Sequence, residues 1–474
     1  MSVPTLDREV CTRAYKARDT RFDGRFFIGV KTTGVFCRPV CPAPSPKSEN
    51  VDFFPSAAAA ATAGFRPCLR CRPETSPGTP AWEGTSATVS RALRLIEEGV
   101  LDEENVETLA ARFGITPRQL SRLFSQHLGA SPVAVAQTRR LLFAKKLIDE
   151  SGLSMTDIAF AAGFGSIRRF NAVFSKVYGR PPSSLRKQTT RPDVSLNLPY
   201  RPPYDWPSML QFFRQRQIAG LERVDEDSYY RSLNIDGCKL QVRIQHAPAQ
   251  NALRMTLLQG ETRLLMKLVE RVRRVFDLGA DISTINTQLM KDELLKPAIT
   301  ARPGLRLPGG WSLFEIIVRA ILGQQVSVAA AHTLAGRLVR LCGEPAGEFP
   351  DGSEAFVFPE PQNVAEANLT GLGLTRKRAE TLSTVAAEIA SGRVCLENLV
   401  DADSLTRELE ILPGIGPWTS QYVAMRGLSE PDAFPVADLG LLKATGLGSR
   451  QLETHAEQWR PWRAYAAIHL WNTL

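Results

Sequence analysis

The spacing of apolar residues divides the chain into stretches that predict different secondary structures. Between residues 85 and 190, and again from Glu261 to the end, apolar positions recur with a helical period, which predicts two regions built from helices. Between them, the stretch YYRSLNIDGCKLQVRIQHA alternates apolar and polar residues on both sides of Asp236 and Gly237. Alternation around an Asp-Gly pair predicts two antiparallel strands joined by a tight turn.

Polar stretches rich in Pro, Gly, Ser and Thr separate these regions and define the expected domains. PETSPGTPAWEGTS closes a block that contains cysteines, and RKQTTRPDVS follows the first helical region; both have the composition of linkers. A chain of 474 residues also exceeds what one hydrophobic core usually organises. We therefore predict a multidomain, mainly α fold with α+β parts, divided into residues 1–80, 85–190, a β-rich 195–270, and 271–474.

The first block contains five of the chain's eight cysteines, and four of these five are arranged as two close pairs. Three residues separate Cys37 from Cys41, 26 residues follow, and two residues separate Cys68 from Cys71. In a long chain whose N-terminus lacks signal-peptide features, such pairs indicate metal binding rather than disulfides. The spacing predicts one Zn²⁺ held by four thiolates in a closed tetrahedral site. A purely structural zinc site and four unrelated thiols are the alternatives.

Positive charge is concentrated through the first two hundred residues and around the cysteines. The chain has 58 Lys and Arg against 49 Asp and Glu, a formal net charge of +9. A basic N-terminal half is the footprint of a phosphate-binding surface. Thiolates among such residues would meet a DNA backbone directly. The basic residues nearest to the two pairs are Lys31, Arg38, Arg66, Arg70 and Arg72.

The cysteine block resembles the N-terminal domain of the adaptive-response regulator. The resemblance is carried by DGRFFIGVKTTGVFCRPVCPA and GFRPCLRCRPE. It implies that Cys37, Cys41, Cys68 and Cys71 ligate zinc and that Cys37 accepts methyl groups from DNA phosphotriesters. Zinc binding keeps a thiolate deprotonated at neutral pH. Methylation would remove one negative charge from the cluster, which predicts tighter DNA binding after repair.

The first helical region contains two copies of a helix-turn-helix pattern. VETLAARFGITPRQLSRLFSQHLG has a turn at Gly114, and MTDIAFAAGFGSIRRFNAVFSKVYGRPPSSLR has one at Gly163. PVAVAQTRRLLFAKKLIDE predicts a single helix between them, so that both second helices can enter successive major grooves. We expect four arginines to face DNA: Arg118 and Arg122 in the first copy, and Arg168 and Arg169 in the second.

This region resembles the DNA-binding domain of AraC-family regulators. The ending YGRPPSSLR, preceded by a Gly-Phe turn and aromatic residues, is fairly specific for that family. The resemblance implies binding to operator DNA and transcriptional regulation. A small helical bundle that does not bind DNA is the alternative.

The second helical region contains ILPGIGPWTSQYVAMRGLSEPDAFPVADLGLLKATG, in which Pro-Gly-Ile-Gly is a helix-hairpin-helix signature. Gly414 and Gly416 would let backbone N–H groups approach a DNA phosphate, and the N-terminus of the next helix adds its dipole. The motif is moderately specific, because many DNA-binding proteins without catalytic activity use it. We assign DNA contacts to these two glycines.

A resemblance to 3-methyladenine DNA glycosylase II extends from residue 195 to the end. It is carried by the hairpin and by RPGLRLPGGWSLFEIIVRAILGQQVSVAAA, GLGLTRKRAETL and WRPWRAYAAIHLW. The resemblance implies a helix-hairpin-helix glycosylase with an antiparallel β-containing subdomain, with Asp438 as the catalytic residue and Trp418, Tyr422 and Trp471 around the base. Alternatively, Asp438 only caps the helix that begins near Leu439, and the aromatics are core residues.

Further positions refine this resemblance. Related glycosylases that also cut the DNA backbone carry a lysine where this chain has Trp418, so the tryptophan predicts hydrolysis without a Schiff base. The position of a wedge leucine in a well-known relative falls on Gln325, whose amide can fill the gap and hydrogen-bond the orphaned base. Trp459 and Trp462 are expected to be core residues.

The combined pattern predicts an alkylation-response protein that accepts methyl groups from phosphotriesters, regulates transcription, and excises alkylated purines such as 3-methyladenine. Its expected partners are alkylated and operator double-stranded DNA and RNA polymerase. No apolar run approaches membrane-spanning length, so we expect a cytoplasmic, nucleoid-associated monomer that makes no membrane contact. Two other functions stay open: a regulator whose glycosylase half only binds DNA, and a repair enzyme without a regulatory role.

Overall fold

The computed structural model describes residues 6–77, 87–186, 194–396, 399 and 401–474. Both predicted linkers lie mostly outside these residues. Within the described ranges, no helix is long and apolar enough to cross a membrane. The fold is multidomain, with many helices and antiparallel sheets, as the sequence predicts.

The N-terminal region is a small α+β unit. Its four-stranded sheet has the order β3-β1-β2-β4, in which β1 is antiparallel to β2 and β3, and β2 is parallel to β4. Tyr15, Phe26, Ile28 and Val51 are buried in one cluster with the cysteines. The elements are α1 (Arg8–Lys16), β1 (Phe27–Val30), β2 (Val35–Cys37), β3 (Val51–Phe54), α2 (Ala57–Thr62) and β4 (Arg66–Pro67).

The described residues of the second region contain seven helices, four of which form the two predicted helix-turn-helix pairs. Gly114 and Gly163 have φ angles of 63° and 75°, a left-handed conformation that glycine adopts without strain. Thr116 and Ser166 cap the second helix of each pair through their side-chain oxygens. The helices are α3 (Ala87–Glu97), α4 (Val100–Glu103), α5 (Val106–Ala111), α6 (Pro117–Leu128), α7 (Pro132–Glu150), α8 (Met155–Ala161) and α9 (Ile167–Tyr178).

A five-stranded antiparallel sheet with the order β5-β9-β8-β7-β6 forms the third region. The predicted hairpin joins β7 to β8. Asp236 and Gly237 have φ angles of 51° and 77°, the two positive values that a two-residue turn of this hand requires. The elements are β5 (Val194–Pro199), α10 (Trp206–Arg216), β6 (Glu222–Val224), β7 (Ser228–Ile235), β8 (Cys238–Ala247), β9 (Ala252–Gln259) and α11 (Leu265–Val275).

The C-terminal region is a bundle of helices with one small two-stranded sheet. Ile317, Leu338 and Val423 come from three of these helices and share one buried core. Trp459 and Trp462 are also buried in it, as the sequence predicts. The elements are α12 (Ile282–Leu289), α13 (Lys296–Ala301), α14 (Leu313–Leu322), α15 (Val328–Cys342), β10 (Pro345–Glu348), β11 (Glu354–Phe356), α16 (Pro361–Glu366), α17 (Arg376–Ala390), α18 (Ala402–Glu410), α19 (Pro417–Gly427), α20 (Leu439–Thr445), α21 (Ser449–Ala456) and α22 (Arg463–Trp471).

The N-terminal unit packs directly against the helix-turn-helix region. Ser56 Oγ donates a hydrogen bond of 2.7 Å to the carbonyl of Leu128, the last residue of α6. Arg72 Nε lies 2.9 Å from the carboxylate of Asp149, near the end of α7. The contacts therefore reach the C-terminal ends of two neighbouring helices.

The five-stranded sheet is packed on both neighbouring regions. Apolar residues of α7, α8 and α9 belong to the same continuous core as those of the sheet and α11. Arg201, only 1% exposed, follows β5 and donates from Nε to the backbone carbonyl of Asp23 over 3.0 Å. The sequence predicts separate domains joined by linkers, whereas in the folded chain these regions pack against one another.

Candidate metal centre and candidate active site

Four thiols converge beside the small N-terminal sheet. The Sγ atoms of Cys37, Cys41, Cys68 and Cys71 all lie within 4.8 Å of one another. The parallel pairing of β2 with β4 explains this meeting, because Cys37 ends β2 and Cys68 follows β4. Tetrahedral Zn²⁺ with bonds of about 2.3 Å needs sulfur atoms about 3.8 Å apart. The cluster fits that ion, and the four cysteines form a zinc site.

The close packing of the thiols separates their pKa values. A hydrogen bond with Cys37 is the largest cause that lowers the pKa of Cys41, to about 7. Hydrogen bonds with Cys37 and Cys41 lower the pKa of Cys68. Hydrogen bonds with other thiols raise the pKa of Cys37 and of Cys71. Thiolate is the form that binds a metal ion, and a bound Zn²⁺ stabilises that form at all four positions.

Two of the basic residues around the cluster form ion pairs with carboxylates of the folded chain. The backbone N–H of Arg38 donates to Cys71 Sγ over 3.3 Å, and its guanidinium pairs with the buried carboxylate of Asp23. Arg72 pairs with Asp149. Carboxylates neutralise these two arginines, so their charge adds less to a phosphate-binding surface than the sequence suggests, and their contact with phosphate stays a prediction. Three other basic residues are exposed: Lys31, Arg66 and Arg70.

The four arginines predicted to face DNA lie on exposed helix surfaces. Arg118 and Arg122 are exposed on α6, and Arg168 and Arg169 are exposed on α9. The opposite faces of the two helices are buried through Leu120, Phe124, Phe170 and Phe174. This amphipathic arrangement leaves the arginines available to a ligand, and their contact with DNA stays a prediction.

The hairpin between α18 and α19 contains two glycines with different local roles. Gly414 has a φ of 84°, and a Cβ atom there would come within 2.3 Å of Thr381 Oγ1, so this position excludes any side chain. Gly416 is the N-cap residue of α19, where a Cβ atom would meet only open space. Backbone N–H groups at the start of α19 can therefore approach an anion. Their contact with a phosphate stays a prediction.

The Asp438 side chain is held by three hydrogen bonds. Its Oδ2 accepts from Trp418 Nε1 over 2.9 Å, and its Oδ1 accepts from Trp471 Nε1 over 2.8 Å. Oδ1 also accepts from the backbone N–H of Leu441 over 3.1 Å, which makes Asp438 the N-cap of α20. Asp438 therefore caps α20 and has its carboxylate bound by two indoles at the same time. The capping role, given above as an alternative, does not exclude a second role.

A glycine makes room for this arrangement. A Cβ atom on Gly440 would lie 3.0 Å from Asp438 Oδ1 and 3.1 Å from Trp471 Cδ1. These distances are shorter than ordinary van der Waals contact. A side chain at position 440 would therefore push against the carboxylate and the indole that binds it.

The structure brings together the aromatic residues that the sequence assigned to the base pocket. The rings of Trp418 and Tyr422 are stacked, with centroids 5.3 Å apart and an interplanar angle of 11°. Trp471 approaches the same carboxylate from α22. Indole and phenol faces beside a fixed carboxylate can hold a planar, electron-poor ring. The assignment of each residue to base binding stays a prediction.

Sequence reasoning missed three residues beside the aromatic stack. Arg426 Nη1 donates to Tyr422 Oη over 3.2 Å, and Arg426 Cζ lies 4.4 Å from the centroid of the Phe212 ring. Arg216 Cζ lies 4.1 Å from the same centroid. Arg426 could have been found from the sequence, because it is a charged residue in the apolar stretch YVAMRGL and lies one helical turn after Tyr422. Phe212 and Arg216 lie far away in the sequence and carry no such signal.

Gln325 lies exposed in the loop between α14 and α15. Its φ is 53°, an uncommon conformation for a residue other than glycine and one that often marks functional sites. The preceding residue, Gln324, donates from Nε2 to the carbonyl of Gly414 over 3.0 Å and to Thr419 Oγ1 over 3.2 Å. The loop is thus tied to the hairpin, and the wedge role of Gln325 stays a prediction.

Comparison with known families defines the class: a DNA-repair protein that also carries a helix-turn-helix domain. Four family models match successive parts of the chain. They are the metal binding domain of Ada over residues 10–74, a helix-turn-helix domain over 109–188, the AlkA N-terminal domain over 195–312, and the HhH-GPD superfamily base excision DNA repair protein over 318–449.

One relative matches nearly the whole chain. The "Probable bifunctional transcriptional activator/DNA repair enzyme AlkA" of Mycobacterium tuberculosis is 41% identical over 482 residues, covering 99% of this chain and 97% of the relative. The chain therefore belongs to the family of bifunctional transcriptional activator/DNA repair enzymes.

Other similar proteins match only part of the chain. "DNA-3-methyladenine glycosylase 2" of Escherichia coli is 37% identical over 58% of this chain and 96% of its own length. "Bifunctional transcriptional activator/DNA repair enzyme Ada" of the same organism is 39% identical over 31% of this chain and 40% of its own. The solved 3-methyladenine DNA-glycosylase of Archaeoglobus fulgidus shares the fold, with a TM-score of 0.52 at 21% identity over 58% of this chain and 97% of that one.

Proposed function

We propose that this protein hydrolytically excises alkylated purines such as 3-methyladenine, accepts methyl groups from DNA phosphotriesters at Cys37, and regulates transcription through its helix-turn-helix pair. One observation carries the excision proposal. The Asp438 carboxylate is fixed by two indole N–H groups and one backbone N–H, beside the stacked rings of Trp418 and Tyr422. A helix cap needs only the bond from Leu441, whereas the two indole bonds fix the carboxylate beside the aromatic stack, which supports a catalytic role.

The chemistry of excision follows from the charge of the substrate. A purine alkylated at N3 or N7 is cationic, so it leaves as a neutral base when the C1′–N9 bond breaks and its electron pair passes to the base. The deoxyribose then has oxocarbenium character, which the Asp438 carboxylate stabilises. Water bonds to C1′ and releases a proton. The aromatic faces of Trp418 and Tyr422 attract the flipped cationic base before the bond breaks.

The excision product is the direct test of this mechanism. Wild-type protein incubated with methylated duplex DNA should release free 3-methyladenine and leave an abasic strand that stays intact until alkali is added. The strand stays intact because Trp418 offers no amine to attack the sugar. Chromatography of free bases and gel analysis of the strand measure the two outcomes. A protein–DNA adduct trapped by borohydride would contradict hydrolysis, and absence of base release would favour a purely DNA-binding role.

The zinc site supports the proposed methyl transfer. Zinc, when bound, keeps all four thiols in the thiolate form. In the transfer, a thiolate sulfur bonds to the methyl carbon while the carbon–oxygen bond breaks, and the phosphotriester becomes an ordinary anionic diester. The sulfur becomes a neutral thioether, so the cluster loses one negative charge and repels DNA phosphates less. The choice of Cys37 as acceptor rests on the resemblance to the adaptive-response regulator.

Methylphosphotriester DNA should therefore add one methyl group to Cys37 and raise the affinity for operator DNA. Peptide mass spectrometry locates the methyl group, and binding titrations at fixed salt measure the affinity. Cys37 is buried, whereas Cys41 and Cys68 are partly exposed. The mass measurement therefore has to distinguish Cys37 from two more accessible thiols. A methyl group on Cys41 or Cys68 would overturn the assignment. Unchanged affinity would exclude the switch and leave the repair reaction in place.

The regulatory part of the proposal includes operator DNA and RNA polymerase as partners of a monomer that works at the nucleoid. Its support is the exposure of the arginines on α6 and α9 together with the family of the chain. A promoter–reporter assay after methylation tests this part. Loss of induction in Arg122→Ala and Arg168→Ala variants would support it, whereas absence of induction by the wild-type protein would favour a repair enzyme without a regulatory role.

A further inference from the structure

Buried polar contacts join the N-terminal unit to the regions that follow the helix-turn-helix pairs. The backbone carbonyl of Asp23 accepts from Arg201 Nε over 3.0 Å, and Arg201 Nη1 donates to the carbonyl of Gly279 over 2.9 Å. Two residues after Asp23, Arg25 Nε donates to Asp281 Oδ2 over 2.5 Å. Arg201 and Asp281 are both buried. The loop between α11 and α12, residues 276–281, is thus attached to the N-terminal unit directly through Asp281 and indirectly through Arg201.

The same segment of the N-terminal unit also contacts the cysteine cluster. Arg38 Nε donates to Asp23 Oδ1 over 2.9 Å, and the backbone N–H of Arg38 donates to Cys71 Sγ over 3.3 Å. Asp23 therefore has two kinds of contact: its carboxylate binds a neighbour of the metal ligands, and its carbonyl binds Arg201. Because we expect the N-terminal unit to need its metal to fold, the metal also determines whether Asp23 and Arg25 stay at this interface.

Further buried hydrogen bonds connect Arg201 with the site around Asp438. Arg306 donates to the carbonyl of Arg201 and, from Nη1, to the carbonyl of Asp277 over 3.3 Å. The Asp277 carboxylate accepts from Tyr465 Oη over 3.0 Å. Tyr465 lies on α22, and the indole of the last residue of this helix donates to Asp438 Oδ1 over 2.8 Å. The position of α22 therefore depends on the loop between α11 and α12.

These contacts define two states of the N-terminal unit, docked and released. In the released state, Arg201 loses the Asp23 carbonyl and Asp281 loses the Arg25 guanidinium, and loss of a partner is unfavourable for a buried polar group. The loop between α11 and α12 then shifts toward other partners, and α22 follows through its hydrogen bond to this loop. Hydrogen bonds weaken steeply with distance and angle, so a small shift of α22 loosens the hold on Asp438.

We propose that the N-terminal unit, when it is loaded with zinc and docked, is a positioning partner of the excision reaction. This inference rests on the proposed glycosylase function. Docking holds α22 where its terminal indole fixes the Asp438 carboxylate. Loss of the metal releases this hold, although every residue of the excision site is unchanged. Excision by the C-terminal region is therefore regulated by the metal state of the N-terminal region.

The test compares metal-loaded and metal-free protein, with the interface intact and with it removed. Single-turnover release of 3-methyladenine, at saturating protein so that DNA affinity does not limit the rate, is measured for the full chain before and after zinc removal by a strong chelator. We expect zinc removal to slow release about tenfold in the wild type, but less than about twofold in the double variant Arg25→Met with Arg201→Met. The double variant responds less because it has already lost the docking contacts.

Arg21→Met is the matched control for the double variant. Arg21 lies in the same segment of the N-terminal unit, but its side chain is exposed and pairs with Asp19 inside that unit. Arg21→Met should therefore respond to zinc removal as strongly as the wild type.

Hydrogen exchange of backbone amides locates the change independently of activity. On zinc removal, peptides that cover residues 276–284 and α22 should exchange faster in the wild type, while peptides of α15 should not change. In the double variant, the faster exchange should be present before the metal is removed. Faster exchange in α15 as well would identify a general loss of stability in the C-terminal region and would overturn the positioning role.

The outcomes separate this inference from the proposed function. Equal release by the wild type with and without zinc would overturn the inference and leave the proposed function in place. An equally large effect of zinc removal in the double variant would show that the metal acts by another route, and would also overturn the inference. Absence of release from the metal-loaded wild type would refute the proposed function and the inference with it. If the double variant does not fold, Arg25→Met alone should reduce the effect of zinc removal.

Discussion

Replacing Asp438 with asparagine is expected to reduce the release of 3-methyladenine by about 100-fold or more. Asparagine has the same size, and its Oδ1 can still accept a hydrogen bond, but its Nδ2 donates and cannot accept from the second indole. Asparagine also lacks the negative charge that faces the oxocarbenium-like sugar. The effect should therefore appear in the chemical step rather than in folding. Single-turnover measurements of free base, with protein in excess over DNA, isolate that step.

DNA binding should survive this substitution, because the predicted phosphate contacts come from the hairpin at Gly414 and Gly416. Asp403→Asn is the matched control: Asp403 is an exposed carboxylate in the first turn of α18, and its loss should leave the release rate unchanged. A release rate in Asp438→Asn equal to that of the wild type would remove the aspartate from the mechanism.

Replacing Cys68 or Cys71 with alanine is expected to abolish zinc binding and to unfold the N-terminal region. The purified wild-type protein should contain one zinc ion per chain at the four-thiol cluster. A structural zinc site of this kind contributes about 10–16 kcal/mol of apparent binding free energy. The short strands and few long apolar residues of this unit cannot replace so large a contribution. Elemental analysis of the purified variants measures the metal content, and circular dichroism with limited proteolysis measures the unfolding.

Cys11 provides an internal control for this experiment. Its thiol is buried in the same N-terminal region but lies outside the cluster. Cys11→Ala should therefore keep the full metal content, while it loses only some packing. Full metal content in both Cys68→Ala and Cys71→Ala would contradict the four-thiolate site.

Features encoded by neighbouring residues could be predicted from the sequence. The Asp236-Gly237 hairpin depends on two adjacent residues with positive φ, and α7 spans Pro132–Glu150 as one helix because its caps and helical period lie within that stretch. The cysteine cluster could also be predicted, from the spacing of the two cysteine pairs. In each case the chemical signal and its structural consequence lie within the same stretch of chain.

Features that depend on packing between distant segments could not be predicted. Arg38 and Arg72 look like phosphate ligands from their sequence neighbours, yet Asp23 and Asp149 neutralise them in the folded chain. The approach of Phe212 to Arg426 has the same origin. The charge composition suggests that such arginines can bind phosphate, but the tertiary structure determines which of them are free of carboxylate partners.

The hydrogen bond from Ser56 to the end of α6 has a mechanical consequence. The carbonyl of Leu128 belongs to the helix predicted to enter the major groove, while Ser56 begins the helix that follows β3 in the zinc-binding unit. The pairing of Arg72 with Asp149 adds a second point of attachment. With α6 in the groove as proposed, these two contacts would transmit a roll or tilt of the helix to the cysteine cluster. The phosphate within reach of the cluster would then lie at a fixed offset, counted in base pairs, from the bases that α6 contacts.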